Sequence, residues 1–387
     1  MKIFFFIRSL DIGGSQRQLT MLARGLAQRG HEVVVAVLYS GYAMERTLNE
    51  SEIRIISLEK RGRWDVAGPL LRLRRHFTQE RPDIVYSFLS TQTTLTALLL
   101  PPSLPTRLVF GIRAGAMELD RYDRLSSLMY KLEAWLSWRA DLVIVNARAL
   151  RSDAVARGLP PDRIAVVPNG IDTQAMRPDP TGGRDMRRAW GLDDSHFVIG
   201  MVARLDPMKD HSTFLAAASA FASAHPSARF VCVGDGAPGY RAEMEALARS
   251  NGVEDRVIWV GEASATSAVY SAFDICTLSS SFGEGFPNVV GESMACGTPV
   301  VATDVGDVAL IIGEHGEVVP PRRADLLSAA WGRMRERVAR DGAALQAGIR
   351  TRIVEQYDLK TSVERTEQVL MVLCSGRTMA GVAAHQP

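Results

Sequence analysis

The sequence has little cysteine and no long apolar run. Its cysteines are scattered singly along the chain, at Cys232, Cys276, Cys296 and Cys374. Without a C-x-x-C pair they predict neither a metal site nor a redox motif, and those that lie in apolar strand-like runs are expected to be buried, reduced thiols. No run approaches the roughly 18 apolar residues of a membrane-spanning helix. Arg8 and Asp11 interrupt the apolar start, so it does not predict a signal peptide, and the expected compartment is the cytoplasm.

The chain also lacks a strong net charge and the short motifs of several enzyme classes. The net charge is +2 over 387 residues, which gives no reason to expect a nucleic-acid partner. There is no G-x-S-x-G and no P-loop, which argues against serine hydrolases and P-loop NTPases. His211, His225 and His315 stand alone, so no metal site and no cofactor is predicted. The first 165 residues are nevertheless basic on balance, which favours an anionic partner for this half.

Short apolar runs alternate with helical stretches through most of the chain. In the first half the runs are Ile3–Ile7, His31–Val37, Ile53–Leu58, Pro82–Ser87, Arg107–Gly111, Asp141–Asn146 and Ile164–Val167. In the second half they are Phe197–Ala203, Arg229–Val233, Val257–Gly261, Asp274–Ser279 and Thr298–Thr303. Strands separated by helices build parallel sheets, so the pattern predicts two doubly wound α/β domains. Pro168 and the pair Asn169-Gly170 mark a sharp turn after the last strand of the first half.

The predicted domains are residues 1–170 and residues 171–357. The chain after Arg322 is expected to form two or three helices, the last at about residues 358–373. Residues 374–387 are small and polar, which predicts a loose tail.

One acidic stretch near the end of the second half carries the most chemical information. Glu284 stands between two glycines, where backbone can come close to a ligand. Pro287 suits the first position of a helix, which we expect to run from about Asn288 to Ala295. Glu292 then lies about one turn inside that helix. Two carboxylates and the free amides of a helix N-terminus would face one small volume suited to hydroxyls and anions.

A basic loop follows the first strand of the second domain. Arg204 and Lys209 lie at the carboxyl edge of a predicted parallel sheet, where open α/β folds bind ligands. A planar and a compact cation five residues apart are suited to clamping a diphosphate. Taken alone, however, such a pair is more often plain surface charge.

Together these stretches resemble a known family. Gly-Glu-Gly-Phe-Pro-Asn at 283–288 with Gly-Thr-Pro-Val-Val at 297–301 resembles the signature of the retaining glycosyltransferases of family 4. The Gly13-Gly14 pair after the first strand is similar to the pattern of that family, as are Arg204 and Lys209 in residue type and spacing. The family has the GT-B fold, in which two Rossmann-like parallel-sheet domains face each other across a cleft. The turn at residues 167–172 resembles the interdomain segment of the family, which places the domain boundary near residue 170. The resemblance also implies that the last helix crosses back onto the first domain.

The resemblance implies a metal-independent transfer from a nucleotide-diphosphate sugar to a saccharide or lipid-linked saccharide acceptor. It assigns Arg204 and Lys209 to the leaving diphosphate, Glu292 to the ribose hydroxyls and Glu284 to the transferred sugar. The remaining donor-binding positions that it implies are Gly13, Gly14, Gly234, Gly236, Gly285, Phe286, Pro287, Asn288 and Val289. The assembly of cell-surface polysaccharide, lipopolysaccharide or glycolipid is the expected setting.

The chain departs from the family at one position and leaves other interpretations open. Arg113 stands where the family more often has a histidine near the reaction centre, so Arg113 is a candidate for the acceptor side. Residues 234–239 also match the dinucleotide fingerprint G-x-G-x-x-G, but the lone match is weak and comes after the second strand of its domain. A nucleotide-sugar epimerase or hydrolase, or a non-catalytic scaffold that binds nucleotide sugars, remain alternatives.

A basic stretch in the first half predicts a possible contact with an anionic membrane surface, and hence a peripheral position on the inner face of the membrane. Its cations are Arg61, Arg63, Arg72, Arg74 and Arg75. Trp64 and Leu70 would enter the headgroup layer. A plain solvated helix face is the alternative. The helical stretch 128–138 is expected to pack in the core.

Overall fold

The computed structural model describes residues 1–62, 64–115, 124–263 and 266–376, and they form two compact units. The first unit consists of Met1–Gly170 and the chain from Leu359 onward, and the second of Ile171–Asp358. Arg63 and the tail beyond residue 376 lie outside the described residues, so the predictions made for them are not addressed by the structure.

The first unit is built on a seven-stranded parallel sheet in the order β3-β2-β1-β4-β5-β6-β7. Its strands are β1 (Lys2–Ile7), β2 (Glu32–Val37), β3 (Arg54–Ser57), β4 (Ile84–Phe88), β5 (Arg107–Ile112), β6 (Leu142–Val145) and β7 (Ile164–Val166). The apolar run of β1 explains its central place. Ile3, Phe5 and Ile7 belong to the core on one face and Phe4 and Phe6 to the core on the other, as a strand buried on both faces requires.

Helices cover both faces of this sheet. They are α1 (Gly14–Gln28), α2 (Ala43–Asn49), α3 (Ala67–Glu80), α4 (Ser90–Leu99), α5 (Arg124–Leu136) and α6 (Arg148–Ala156). The core on one face takes Leu73 of α3, Ala97 of α4 and Leu150 of α6, whereas Leu19 of α1 belongs to the other.

The second unit is built on a six-stranded parallel sheet in the order β10-β9-β8-β11-β12-β13. Its strands are β8 (Phe197–Val202), β9 (Ala228–Val233), β10 (Val257–Gly261), β11 (Ile275–Leu278), β12 (Val300–Thr303) and β13 (Glu317–Val319). Its helices are α7 (Pro180–Ala189), α8 (His211–Ala224), α9 (Pro238–Ser250), α10 (Thr266–Ser271), α11 (Asn288–Ala295), α12 (Val308–Ile312) and α13 (Ala324–Gln356). Gly342 has non-helical backbone angles and interrupts α13. Observed strand bounds differ from the predicted ones by a residue or two, and the short edge strand β13 was not predicted.

The chain returns to the first unit after Asp358. Helix α14 (Leu359–Cys374) contributes Val363 and Leu370 to the core that contains Leu19 of α1. Glu367 of α14 also accepts hydrogen bonds from Arg29 at 2.7 Å and lies 2.7 Å from the ring nitrogen Nε2 of His31. The C-terminal helix is therefore part of the first unit's core.

The strand order fixes where each unit can present functional side chains. In both sheets the winding direction reverses at the strand that comes first in the chain, between β1 and β4 and between β8 and β11. Open α/β sheets bind ligands beyond the carboxyl ends of the strands at such a point. Within the described residues, no helix is long and apolar enough to cross a membrane.

Candidate active site

The turn after β8 presents Lys209. Asp206 caps the short 3-10 turn Pro207–Lys209, accepting a hydrogen bond from the Met208 amide at 3.0 Å. Asp210 then adopts a left-handed conformation with φ 51°, and its carboxylate accepts from the Thr213 amide at 3.1 Å to begin α8. Aspartate is among the residues that tolerate a positive φ, and the caps made by Asp206 and by Asp210 itself hold this turn in place.

The loop after β11 presents Glu284. Gly283 has φ 79°, a conformation that glycine adopts without strain. On the far side of the acid, the Asp307 amide donates to the Gly285 carbonyl at 3.0 Å. Gly306, with φ 59°, lies so close to the Glu284 and Gly285 carbonyls that a side chain there would collide with backbone. The loop is therefore fixed at both ends.

These two elements bring Lys209 and Glu284 together at the switch point of the second sheet. Lys209 Nζ lies 2.5 Å from Glu284 Oε1, and Ser280 Oγ donates to the same oxygen at 2.7 Å. The side chains are 19% and 9% exposed, respectively. Because both side chains are largely buried, removing either charge would leave the other unpaired, at a cost in folding free energy. The contact joins two residues for which the family resemblance implies a catalytic role, Lys209 at the diphosphate and Glu284 at the transferred sugar.

Arg204 occupies a different environment in the same loop. Its side chain is 71% exposed, and it forms a 3.0 Å ion pair with Asp206. Exposed pairs of this kind contribute little to stability. Arg204 is therefore held loosely by its own loop, whereas Lys209 is held closely by a second loop.

Helix α11 carries the second acid, Glu292, into the interior. Glu292 is 4% exposed, and its Oε2 accepts a hydrogen bond from the Tyr270 hydroxyl at 2.8 Å. The sequence analysis did not name Tyr270, which comes from the short α10. The prediction that Pro287 is the first helical residue is wrong. Its ψ of 110° is extended, so Pro287 is the N-cap and α11 begins at Asn288.

The rest of the predicted donor loop lies around the start of α11. Gly285, Phe286 and Pro287 are buried, and Asn288 and Val289 are half-buried. The Phe286 ring packs edge-on against Tyr357 with centroids 5.3 Å apart. Phe286 thus anchors the loop, and the half-buried start of the helix is the part that a ligand can approach.

Gly234 and Gly236 follow β9 and lie against the Arg204 loop. Gly236 forms an isolated bridge with Leu205, and the Gly234 amide donates to the Gly261 carbonyl at 2.7 Å. A side chain at Gly234 would collide with the Ala203 carbonyl, and one at Gly236 with the Leu205 carbonyl. This close packing of backbone explains the first two glycines of the apparent dinucleotide fingerprint without a bound dinucleotide.

In the first unit, Gly13 and Gly14 begin α1 after β1. Gly13 is the N-cap in an extended conformation and, as glycine, gives no side-chain cap. The nearest atoms to a Cβ placed at Gly13 belong to the side chain of Gln16, which donates to Asp11 Oδ1 at 2.6 Å. Amides at such a helix start are suited to anions.

Arg113, which follows β5, is engaged inside the first unit. Its guanidinium donates to the Tyr86 hydroxyl at 2.8 Å and to Asn169 Oδ1 at 3.3 Å, and it lies 4.4 Å from the centroid of the Phe88 ring. Burial raises the pKa of Tyr86, and the nearby positive charge of Arg113 partly offsets this. Gln18 and Asn169 line a small cavity beside Arg113.

Two family models match the chain one after the other. The model for Glycosyltransferase Family 4 matches residues 12–175, and that for Glycosyl transferases group 1 matches residues 196–336. The chain belongs to glycosyltransferase family 4. The family inferred from the sequence motifs is therefore confirmed.

Curated relatives of this family 4 member differ in how much of their length is matched. The D-inositol 3-phosphate glycosyltransferase of Acidothermus cellulolyticus is 37% identical over 189 residues, which are 46% of this chain and 41% of that protein. The chain thus spans about two fifths of the length of such relatives. The 2-deoxystreptamine N-acetyl-D-glucosaminyltransferase of Streptomyces fradiae is 29% identical over 336 residues, 78% of this chain and 77% of that protein.

Solved structures share the fold over nearly the whole chain. Anabaena Alr3699/HepE in complex with UDP-glucose superposes with a TM-score of 0.84 at 21% identity, covering 97% of this chain and 100% of that one. WaaG, described as a glycosyltransferase involved in lipopolysaccharide biosynthesis, gives 0.75 at 19% identity, covering 95% and 99%. The predicted GT-B fold, with two doubly wound parallel-sheet domains, is confirmed.

Proposed function

We propose that this protein transfers a sugar from a nucleotide-diphosphate sugar to a hydroxyl acceptor, with retention at the anomeric carbon and without a metal. The observation that carries the proposal is the contact between Lys209 and Glu284 at 2.5 Å, at the carboxyl edge of the second sheet. A cation for phosphate and a carboxylate for hydroxyls stand side by side there. Membership of family 4 supports the assignment, and a structural relative holds UDP-glucose.

In the proposed mechanism the second unit binds the donor. Lys209 and Arg204 hold the diphosphate and offset the negative charge that develops as the glycosidic bond breaks. Glu284 accepts hydrogen bonds from hydroxyls of the transferred sugar, and Glu292 accepts from the ribose. The departing phosphate oxygen takes the proton of the attacking acceptor hydroxyl, so proton and leaving-group charge balance without a basic side chain.

The start of α11 and the loop beside it complete the proposed donor site. The amides of Phe286 and Asn288 donate to the sugar hydroxyls, while Pro287 has no amide to give. Gly285 has no side chain that would block the sugar, and Val289 lies beside the sugar. Gly234 and Gly236 support the loop of Arg204 beside the nucleotide.

For the first unit we propose contacts with the phosphates and the acceptor. The amides at the start of α1, from Gly13 and Gly14, bind the phosphates. Arg113 lies on the acceptor side, where its guanidinium orients Tyr86 and Asn169. Its hydrogen bonds to these neighbours favour an indirect role over direct contact with the acceptor.

We further propose that the acceptor is a saccharide or lipid-linked saccharide of cell-surface glycan assembly, met at an anionic membrane. Trp64 is 89% exposed, and Arg61, Arg74 and Arg75 are exposed as well. Arg72 contributes less, because its guanidinium donates to the Leu58 carbonyl at 2.9 Å. Replacing Arg74 and Arg75 with Ala should reduce sedimentation with vesicles containing phosphatidylglycerol while leaving turnover of a soluble acceptor intact. Unchanged sedimentation would remove the membrane from the proposal.

A panel of nucleotide sugars tests the function directly. A donor that binds the folded protein raises its melting temperature, by an amount that grows with the logarithm of concentration over Kd. Products are then analysed with and without acceptors. Transfer supports the proposal, an altered free sugar nucleotide indicates an epimerase, and free sugar indicates a hydrolase. Binding without any product identifies a scaffold, and no stabilisation by any member of the panel contradicts the proposal.

A further inference from the structure

Three consecutive serines that follow β11 link the Lys209 turn to the Glu284 loop. Ser279 is fully buried, and its Oγ lies 2.8 Å from the carbonyl oxygen of Lys209 and 3.1 Å from that of Asp210. It therefore donates to the backbone on which the Lys209 side chain stands. The left-handed Asp210 lies at this same point, so the hydroxyl holds the part of the turn that most needs support.

Ser280 acts on the other partner. It is fully buried, and its Oγ donates to Glu284 Oε1 at 2.7 Å, the oxygen that also contacts Lys209. Its own carbonyl accepts from Thr303 Oγ1 at 2.6 Å, which ties the segment to the end of β12. Hydrogen bonds to a charged acceptor are the stronger ones, so this contact fixes the orientation of the carboxylate.

Ser281 completes the link through its backbone. Its amide donates to the Met208 carbonyl at 2.9 Å, one residue before Lys209. The first two serines therefore act through hydroxyls and the third through its main chain. An alanine at position 281 keeps the main-chain contact, whereas an alanine at 279 or 280 removes the contact described for it.

We propose that Ser279 and Ser280 are positioning residues for the reaction, a role that rests on the proposed function. Their burial keeps them from touching a substrate, so they act through Lys209 and Glu284. Once Lys209 binds the diphosphate, Glu284 Oε1 loses part of its contact with the ammonium group. Ser280 then keeps the carboxylate oriented toward the sugar. Ser279 holds the backbone of Lys209 and Asp210 and thereby fixes the position of the Lys209 ammonium group.

Kinetics with matched variants test this role. Ser279→Ala and Ser280→Ala are compared with Ser281→Ala, using the nucleotide sugar that stabilises the protein most in the panel. We expect kcat to fall about tenfold or more in Ser280→Ala, on the scale of one lost hydrogen bond to a charged group, and roughly two- to tenfold in Ser279→Ala, whose hydroxyl donates to neutral carbonyls. For Ser280→Ala the Kd of the corresponding nucleoside diphosphate should stay within about twofold, since that ligand carries no sugar. A kcat equal to that of Ser281→Ala in either variant, or a loss of nucleoside diphosphate affinity in Ser280→Ala as large as its loss in kcat, would overturn the proposal.

A double-mutant cycle supplies a readout that needs no donor. Ser280→Ala, Glu284→Ala and the double variant are unfolded in urea without ligand. If the Ser280 hydroxyl holds the carboxylate, the two single effects are not additive. Additive effects would overturn the proposal even if the enzyme is a glycosyltransferase. Failure of every nucleotide sugar to bind, with coupling in the cycle intact, would instead contradict the proposed function.

Discussion

The two units repeat one fold but place different chemistry at the same position in it. At the switch point of the second sheet, Lys209 and Glu284 form a nearly buried ion pair. At the switch point of the first, Gly13 and Gly14 begin a helix without a side-chain cap. The strand order determines where a ligand site can form, and the loops after the strands determine whether charged side chains are present there.

The units also differ in how their cations are used. Arg113 of the first unit is bonded to the neutral groups of Tyr86 and Asn169. Lys209 of the second forms its ion pair with a carboxylate, Glu284. This contrast leads us to expect that removing charge in the second unit affects turnover most, and that added bulk in the first affects it less.

The largest effect is expected from Lys209→Ala. We expect turnover to fall by roughly 100- to 1,000-fold, the scale of one lost contact to charge that develops in the transition state. Steady-state rates and thermal melting of the same preparation measure this, with the exposed Lys131→Ala as the control. Turnover near the wild-type level in a protein of lowered melting temperature would make Lys209 a structural residue.

Arg204→Ala should have a smaller effect on turnover and almost none on folding. We expect a loss of about 10- to 100-fold in kcat/KM, because in the proposed site Arg204 shares the diphosphate with Lys209. The free energy of unfolding should change by less than about 1 kcal/mol, since the ion pair with Asp206 is exposed. Urea unfolding beside kinetics separates the two. A change in stability without a change in rate would contradict the assigned role.

The variant Gly13→Ala tests whether the start of α1 in the first unit contacts the phosphates. The added Cβ of Gly13→Ala meets the end of the Gln16 side chain, which can move aside. We therefore expect a normal melting curve and roughly a tenfold loss of turnover, because the phosphates approach less closely. Gly332→Ala, at a position with open space around it, is the control. Equal rates in both variants would remove Gly13 from the site.

A last pair of predictions concerns how stability depends on pH, which differs between the two units. Burial, helped by the charge of Lys209, lowers the pKa of His211 to about 4. The hydrogen bond from Arg54 lowers the pKa of Glu80 in the first unit to about 2. Both pKa values lie below those of the unfolded chain, so the unfolded state binds more protons on acidification. Stability should be lost from about pH 6.5 to pH 4 through His211, and from about pH 4.5 to pH 2 through Glu80.

Two variants distinguish the contributions of His211 and Glu80 to the pH dependence of stability. His211→Gln should flatten the melting temperature between about pH 6.5 and pH 4, where the wild type loses up to about 3 kcal/mol by linkage. Glu80→Gln should change the profile below about pH 4.5 alone. A wild-type profile that is flat down to about pH 4 would contradict the burial of a neutral His211.

Local signals in the sequence predicted much of the fold and part of the site. The sequence around Pro287 predicted a helix from about Asn288 to Ala295, which are the observed bounds of α11, because proline favours a helix start within a position or two. The contacts of Ser280 with Glu284 and of Tyr270 with Glu292 were not predicted. Serines in a loop and a tyrosine in a short helix carry no periodic signal, and their partners are set by packing of distant elements.

Arg113 shows the same limit from the other side. Its departure from the family pattern marked it as a site residue, but nothing in the sequence indicated that Tyr86 and Phe88, both on β4, would engage it. The pairing of β4 with β5 brings them together. The short edge strand β13 was missed for a related reason, since three residues carry too little alternation to be recognised.

The most direct measurement is a crystal structure of the protein with the nucleotide sugar that stabilises it most in the panel. The account predicts the diphosphate within hydrogen-bonding distance of Lys209 Nζ and a sugar hydroxyl on the Glu284 carboxylate. Donor density elsewhere on the chain, with the contact between Lys209 and Glu284 unchanged at 2.5 Å, would contradict it.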